Sequence, residues 1–346
     1  MTTYVSSGAI YSLQEVRRAL DVLSGGLLVS STVSSGGRVF VESGGVASHI
    51  TVNSLGCLEV SSGGIVSGAT VRNDGYLGGG GTAVGVTLAG GSLHVSSGGS
   101  ASQTTIRDGQ AIVSSGGTIS DTTLNGGSLC VSSGGAAIGM IVSSGGHIYV
   151  SSEGVATATR VTSGGRLSIL SGGTARGTIV SSGGFGELSS PLKGTVNAMV
   201  TGFSVGGVSF QSGAHFGLAV GKGGGFAGTL TSGDSLTVFS GGTARNLTIR
   251  SGGTVTVESG GVVSSTTLVG QGSIGGGGIF AGVVLSGGSL AVSAGLSLKG
   301  TLTLAGSGNT LTLGFGADLS SVTISAFSGG DTITLSGRTV TSATLN

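Results

Sequence analysis

Apolar and polar residues alternate along this chain in short runs, and each run ends on Ser-Gly-Gly or a close variant. In Ser128-Leu129-Cys130-Val131-Ser132, Leu129 and Val131 share one face and Cys130 takes the other. Ser133-Gly134-Gly135 follows, and a second run carrying Ala137, Met140 and Val142 closes on Ser144-Gly145-Gly146. Period-two alternation with one apolar face predicts strands, and glycine pairs at fixed offsets predict sharp turns between them. Counted at the second glycine of each corner from Gly91 to Gly184, with Gly109 and Gly154 standing after Asp and Glu in place of a first glycine, the gaps alternate between 8 and 10–11 residues, a full period of 18–19. A period of about 20 built from strand-length pieces predicts an all-β stacked solenoid. Each coil then consists of a strand, a turn, a second strand and a second turn.

The apolar positions line up from coil to coil. The first strand carries Val39/Val41, Leu58/Val60, Leu93/Val95, Ala111/Val113, Ile148/Val150, Leu167/Ile169 and Val255/Val257. The second carries Ala47/Ile50/Val52, Ala156/Thr159/Val161 and Ala175/Thr178/Val180. No single coil can bury such a face alone, so stacking must build one thin continuous core. A longer repeat lies over the short one: residues 33–98 align without gaps on 230–295, and Leu192-Lys193-Gly194-Thr195 is matched by Leu298-Lys299-Gly300-Thr301. The predicted organisation is an N-terminal cap or the end of a preceding module at 1–32, one β-helix module at 33–229 and a second at 230–346. Leu13 to Leu20 holds a local charge cluster whose apolar spacing fits a short helix and equally an irregular edge strand.

Composition narrows the function. Of 346 residues 76 are Gly, yet mean hydropathy is +0.48 and the apolar register is kept, which separates the chain from a flexible Gly/Ser linker. Charged residues make up 8% and the net charge is +1, so there is no electrostatic footprint for nucleic acid. No apolar run approaches the ~20 residues of a membrane helix, and membrane insertion is not expected. Residues Met1 to Gly8 are already repeat material without an export leader, which reads as a piece of a longer chain or as export by another route. Cys57 and Cys130 fall about four coils apart, roughly 19 Å at the spacing of neighbouring strands, too far to bridge.

Parallel β-helices also carry polysaccharide lyases and hydrolases, which need converging carboxylates. The acids here are scattered. Glu42 and Glu59 come nearest to pairing, at neighbouring offsets on adjacent coils, and His49, His94, His147 and His215 share no metal-ligand spacing. Ser-Gly-Gly-Asp331 has the look of a calcium-binding glycine repeat but occurs once. No catalytic, cofactor or metal residue is assigned. The serines differ. In each Val-Ser-Ser-Gly-Gly the Val points inward, so alternation turns the first Ser outward and sends the second into the turn. Ser61, Ser96, Ser114 and Ser132 are thereby predicted to form a spaced row of hydroxyls along one edge.

The units Val-Ser-Ser-Gly-Gly-x-Ala and Gly-Gly-x-Leu-x-Val-Ser-Ser-Gly-Gly resemble the strand-loop-strand repeats of AIDA-type autotransporter adhesin passengers of Gram-negative bacteria, most clearly at 34–183 and 230–295. The resemblance implies a right-handed parallel β-helix, displayed on the bacterial surface or secreted. It implies a structural and adhesive rod that mediates adhesion to host cells, self-association or biofilm. It also implies O-glycosylation with heptose by a dedicated heptosyltransferase, and on that basis the candidate acceptors are Ser34, Ser61, Ser96, Ser114, Ser132, Ser143, Ser151 and Ser181. The alternative carried alongside is a carbohydrate-active β-helix enzyme.

Overall fold

A computed structural model describes residues 3–96, 98–192, 195–198, 202–205, 208–211, 214–292, 295–314 and 318–335, and among them there are strands, turns and bends but no helix. The strands are parallel and stack coil upon coil as a β-solenoid. Taking one coil, Ser128–Val131 pairs in register with His147–Val150, so that Leu129 faces Ile148 and Val131 faces Val150. Leu129, Val131, Ala137, Met140 and Val142 are all fully buried, as are their counterparts Val39, Val41, Ala47, Ile50 and Val52. The columns read from the alternation are the core.

The coil departs from the sequence reading in one respect. What reads as a second strand is two strands, Ala136–Ile138 and Ile141–Val142, with a bend between them. The bend is made by a single left-handed residue per coil: His49 at φ 55°, Gln103 at 53°, Gly139 at 67° and Ala158 at 54°. One such residue turns the chain without ending the ladder, since the Gly139 amide still donates to the Thr157 carbonyl of the next coil (2.9 Å). A coil therefore has three corners and three strands. At the equivalent place further along, Asn246 (φ 51°) lies inside one continuous strand, Thr243–Ile249, and the two-strand description holds there.

By their contacts the described residues form two compact units, Met1–Glu187 with Gly206–Ala214, and Leu188–Val205 with His215–Asn346. The first contains a ten-stranded sheet made of the second strands, running from Ile10–Ser12 to Thr174–Arg176. The second contains a seven-stranded sheet running from Thr195–Ala198 to Asp318–Ser325. Residues 13–20 form no helix. Val16 makes an isolated bridge to Val33, and Ala19–Val22 pairs with Thr3–Val5 and with Arg38–Val41. Buried Val16, Leu20 and Val22 continue the strand columns, and that is the origin of the apolar spacing that also fits a helix.

The two glycines of each corner do different work. At Ser132-Ser133-Gly134-Gly135, Gly134 has φ 77° with open space where a side chain would stand. Gly135 has an ordinary φ, but a Cβ there would run into the carbonyl of Val113 in the preceding coil, whose carbon lies 2.7 Å from that position. The first glycine serves the turn, the second serves the stacking.

In the second unit the second glycine is sometimes an acid or amide instead. Asp234 accepts from the Phe216 amide of the preceding coil (3.0 Å) and from the Thr231 amide and hydroxyl (2.7 and 2.8 Å). Asp331 accepts from the amide and side chain of Asn309 (both 2.9 Å) and from the Ser328 amide (2.9 Å), which holds its carboxyl below the usual range. Where the preceding coil presents an N–H rather than a C=O, a short acceptor side chain replaces glycine. That is the use of Asp331, whose Ser-Gly-Gly-Asp setting has the look of a calcium repeat.

Two corners carry a side chain where the turn wants the first glycine: Leu55 at φ 58° and Glu153 at φ 67°. Leu55 is 67% exposed, so little packing compensates. Replacing a left-handed non-glycine relieves about 1–2 kcal/mol, partly offset by glycine's greater freedom in the unfolded chain. Leu55→Gly and Glu153→Gly are each expected to stabilise by about 0.5–1 kcal/mol, read as a raised Tm in thermal melts. Lowered Tm values would mean that these side chains hold the corner.

Candidate functional site

The eight candidate serines divide between two edges. Ser61, Ser96, Ser114, Ser132 and Ser151 follow the first strand of a coil, whereas Ser34, Ser143 and Ser181 follow the third. All eight are half-buried, and their neighbours Ser35, Ser62, Ser115, Ser133, Ser144, Ser152 and Ser182 are exposed. Alternation turns the first serine outward, and the stacked coils leave it half-buried beside an exposed second serine. The first serine's carbonyl accepts from the second glycine of the turn, as in Gly135 to Ser132 (2.8 Å), and its amide donates to the coil before, as in Ser132 to Val113 (3.0 Å). That residue is the last rung of the ladder, with a coil on either side. The second serine is the apex of the turn.

Several first serines also spend their hydroxyl on a neighbouring coil. Ser61 donates to the Glu42 carboxylate (2.9 Å), Ser143 to the Asn125 side chain (2.8 Å) and Ser181 to the Gln211 side chain (2.9 Å). The apex serines differ in backbone instead. Ser115, Ser133, Ser144 and Ser152 have φ between 45° and 50°, so three of these turns carry positive φ at both central residues together with the following glycine. Ser133 and Ser152 are linked through the backbone from one coil to the next (2.6 Å), which lines the apices up along the edge. The strand threonines Thr70, Thr105 and Thr123 lie half-buried in one column of the third strands, paired with the threonines of adjacent coils.

Glu42 and Glu59, the nearest to a pair in the sequence, point to different partners. Glu59 stands in register with Phe40 and Gly78 and accepts from the Cys57 thiol (3.3 Å), while Glu42 lies beside Ser61. Burial, then that hydrogen bond, pushes the Cys57 thiol up to about 11, so it stays protonated at neutral pH. Both cysteines are free. Among the described residues no group of three or more His, Cys, Asp and Glu could hold a metal ion.

Sequence reasoning missed one cluster. His147 Nε2 lies 2.9 Å from the Ser168 hydroxyl, which donates to Glu187 (3.2 Å), on three successive coils. The trio has the composition of a hydrolase site but not its arrangement. Ser168 is buried (2% exposed) and gives its proton to the carboxylate, so the imidazole is its donor rather than its base. Burial, and next the charge of Arg166, hold His147 below the usual histidine range. His147 also stacks on Tyr149 (3.8 Å), and Arg166 covers Phe185 (4.6 Å). These residues are scattered in sequence and meet only because the coil register puts them on one outer face.

Parallel coils with glycine-cornered serine edges define a repeat protein of the β-solenoid class. Within this repeat array, residues 124–165 match the AIDA family, described as adhesin of bacterial autotransporter system, probable stalk. No curated protein matches the chain. Among solved structures, it is similar to a TibC-catalyzed hyper-glycosylated TibA fragment at 27% identity, covering 97% of this chain and 100% of that one, with a TM-score of 0.44. Fainter similarity reaches the Streptococcus pneumoniae surface protein and adhesin PfbA (10% identity, 87% and 90% covered, TM-score 0.16). It reaches an endo-xylogalacturonan hydrolase from Aspergillus tubingensis to a similar degree (14%, 96% and 85%, TM-score 0.14).

Proposed function

We propose that this chain is a structural and adhesive passenger segment of a Gram-negative bacterium, carried to the cell surface or secreted, and an acceptor for O-heptosylation. Its partners are a protein heptosyltransferase and, in adhesion, self-association or biofilm, the host-cell surface or like molecules. The observation that carries the reading is the double edge of serines at glycine corners within AIDA-type repeats. Glycine on the far side of each turn leaves a transferase room to approach the hydroxyl. Stacked coils set acceptors about 4.8 Å apart along an edge, so attached sugars crowd and occupancy is partial. Module 1 (33–229) and module 2 (230–346) are proposed as two copies of the same acceptor scaffold, with 1–32 as cap or tail.

Accessibility ranks the acceptors. The apex serines Ser62, Ser115, Ser133 and Ser152 are expected to be modified ahead of their neighbours Ser61, Ser114, Ser132 and Ser151, and both sets ahead of Thr70, Thr105 and Thr123. Ser61, Ser143 and Ser181, whose hydroxyls are already engaged, are expected to be the poorest of the serine candidates. Site-resolved mass spectrometry after coexpression with a heptosyltransferase measures this order. Sugars mainly on the strand threonines, or none under conditions that modify another AIDA-type repeat, would remove the acceptor role and leave a bare scaffold.

A further inference from the structure

We propose that Asn125 is a built-in site of spontaneous backbone modification, in which its side-chain amide is lost and the Asn125–Gly126 link is converted to aspartyl and isoaspartyl forms, assisted by the hydroxyl of Ser143. Asn125 is exposed at the corner between Thr123–Leu124 and Ser128–Val131, and it is the one asparagine in the sequence that precedes a glycine. With no side chain on Gly126, nothing obstructs attack of its backbone nitrogen on the Asn125 side-chain carbonyl carbon. Among the described residues that nitrogen donates to no acceptor.

The chemistry needs only water. The Gly126 nitrogen loses its proton and bonds to the side-chain carbonyl carbon, the carbon–nitrogen bond of the amide breaks, and the nitrogen leaves as ammonia. The cyclic imide that remains takes up water at either carbonyl and opens to aspartate or isoaspartate. Negative charge gathers on the side-chain oxygen as the nitrogen attacks, and the Ser143 hydroxyl of the next coil already donates to that oxygen at 2.8 Å. A donor aimed at the atom where charge develops stabilises the transition state more than the resting amide. Gly126 is fixed in place for its own reason: at φ 149°, a Cβ there would strike the carbonyl of Arg107 in the preceding coil. The corner that stacking requires to be glycine is therefore also the corner that leaves asparagine reactive. Conversion adds one negative charge and takes the formal net charge from +1 to zero.

Ageing of the purified full chain at mildly alkaline pH, followed by peptide mapping and isoaspartate detection, tests this. Conversion is expected at Asn125 well ahead of Asn53, Asn73, Asn246 and Asn309. Ser143→Ala is expected to slow it about threefold to tenfold, the worth of one neutral hydrogen bond, while Ser143→Thr keeps the rate. Equal rates in the Ala variant and the parent would overturn the role of Ser143, and conversion no faster than at Asn53 would overturn the site. If a sugar is attached to Ser143, the donated proton is gone and conversion slows. That arm depends on the acceptor reading, whereas the unglycosylated comparison does not, so the two ideas fail separately.

Discussion

Val131→Asp is expected to destabilise the solenoid by about 4 kcal/mol or more, while Cys130→Asp, one residue away, costs about 1 kcal/mol or less. Val131 is fully buried between Val113 and Val150 of the adjacent coils. Aspartate there loses the burial of the aliphatic group, about 1.5–3 kcal/mol, and puts a carboxyl where no donor faces it. Cys130 belongs to the same strand but faces out, beside Gln110 and opposite Tyr149, where a carboxylate keeps contact with water. Because every inward residue touches coils on both sides, the damage spreads along the stack rather than staying in one turn. Chemical and thermal unfolding of the two variants measures the difference. Equal losses at 130 and 131 would refute the register.

At the glycine pair the expected order runs against the usual one. Positive φ normally marks the glycine that resists substitution, yet Gly135→Ala should cost more than Gly134→Ala. At Gly134 an added methyl meets nothing within 4 Å, and the left-handed penalty of about 1–2 kcal/mol is offset in part by the stiffer unfolded chain, leaving about 1 kcal/mol. At Gly135 the methyl would collide with the Val113 carbonyl, and the neighbouring atoms are backbone that cannot rotate away. Coils 18 or 19 residues apart must then separate locally, lengthening ladder hydrogen bonds such as Ala136 to Gly117 (2.9 Å), at a cost of about 2–4 kcal/mol. Paired melts of the two variants decide it, and a larger loss at Gly134 would show that turn geometry, not stacking, fixes the pair.

These two expectations mark how far the sequence could be read. Leu129, Val131, Ala137, Met140 and Val142 were legible as core because strand alternation has a fixed period of two and the same offsets recur in coil after coil. The parallel solenoid followed, since no coil can bury its own face. The separation of Cys57 and Cys130 by four coils followed from counting the period. The charge cluster at 13–20 admitted both a helix and a strand because a few apolar residues at mixed spacing suit both periods, and pairing of Ala19–Val22 with strands on either side chose the strand.

The candidate site was half legible. Alternation told which way Ser61 or Ser132 points, but its logic stops at the end of the strand, and the apex of the turn lies beyond it. Whether Ser133 or Ser132 is the accessible hydroxyl depends on the turn's dihedrals and on the coil stacked beside it. The same holds for the bond from Ser143 to Asn125 and for the contact of His147, Ser168 and Glu187, which join residues 18 to 21 positions apart.

The sequence by itself determined the all-strand coil, its period, its inward columns and the serine-glycine corners, because each rests on local chemistry repeated many times. Tertiary structure alone decided the third corner at Gly139, the separation of the serines into two edges, the division of labour between Gly134 and Gly135, and the partners of the outward side chains. The physical reason is that these depend on where the next coil's carbonyls and amides fall, about 4.8 Å away in space but a full turn away along the chain.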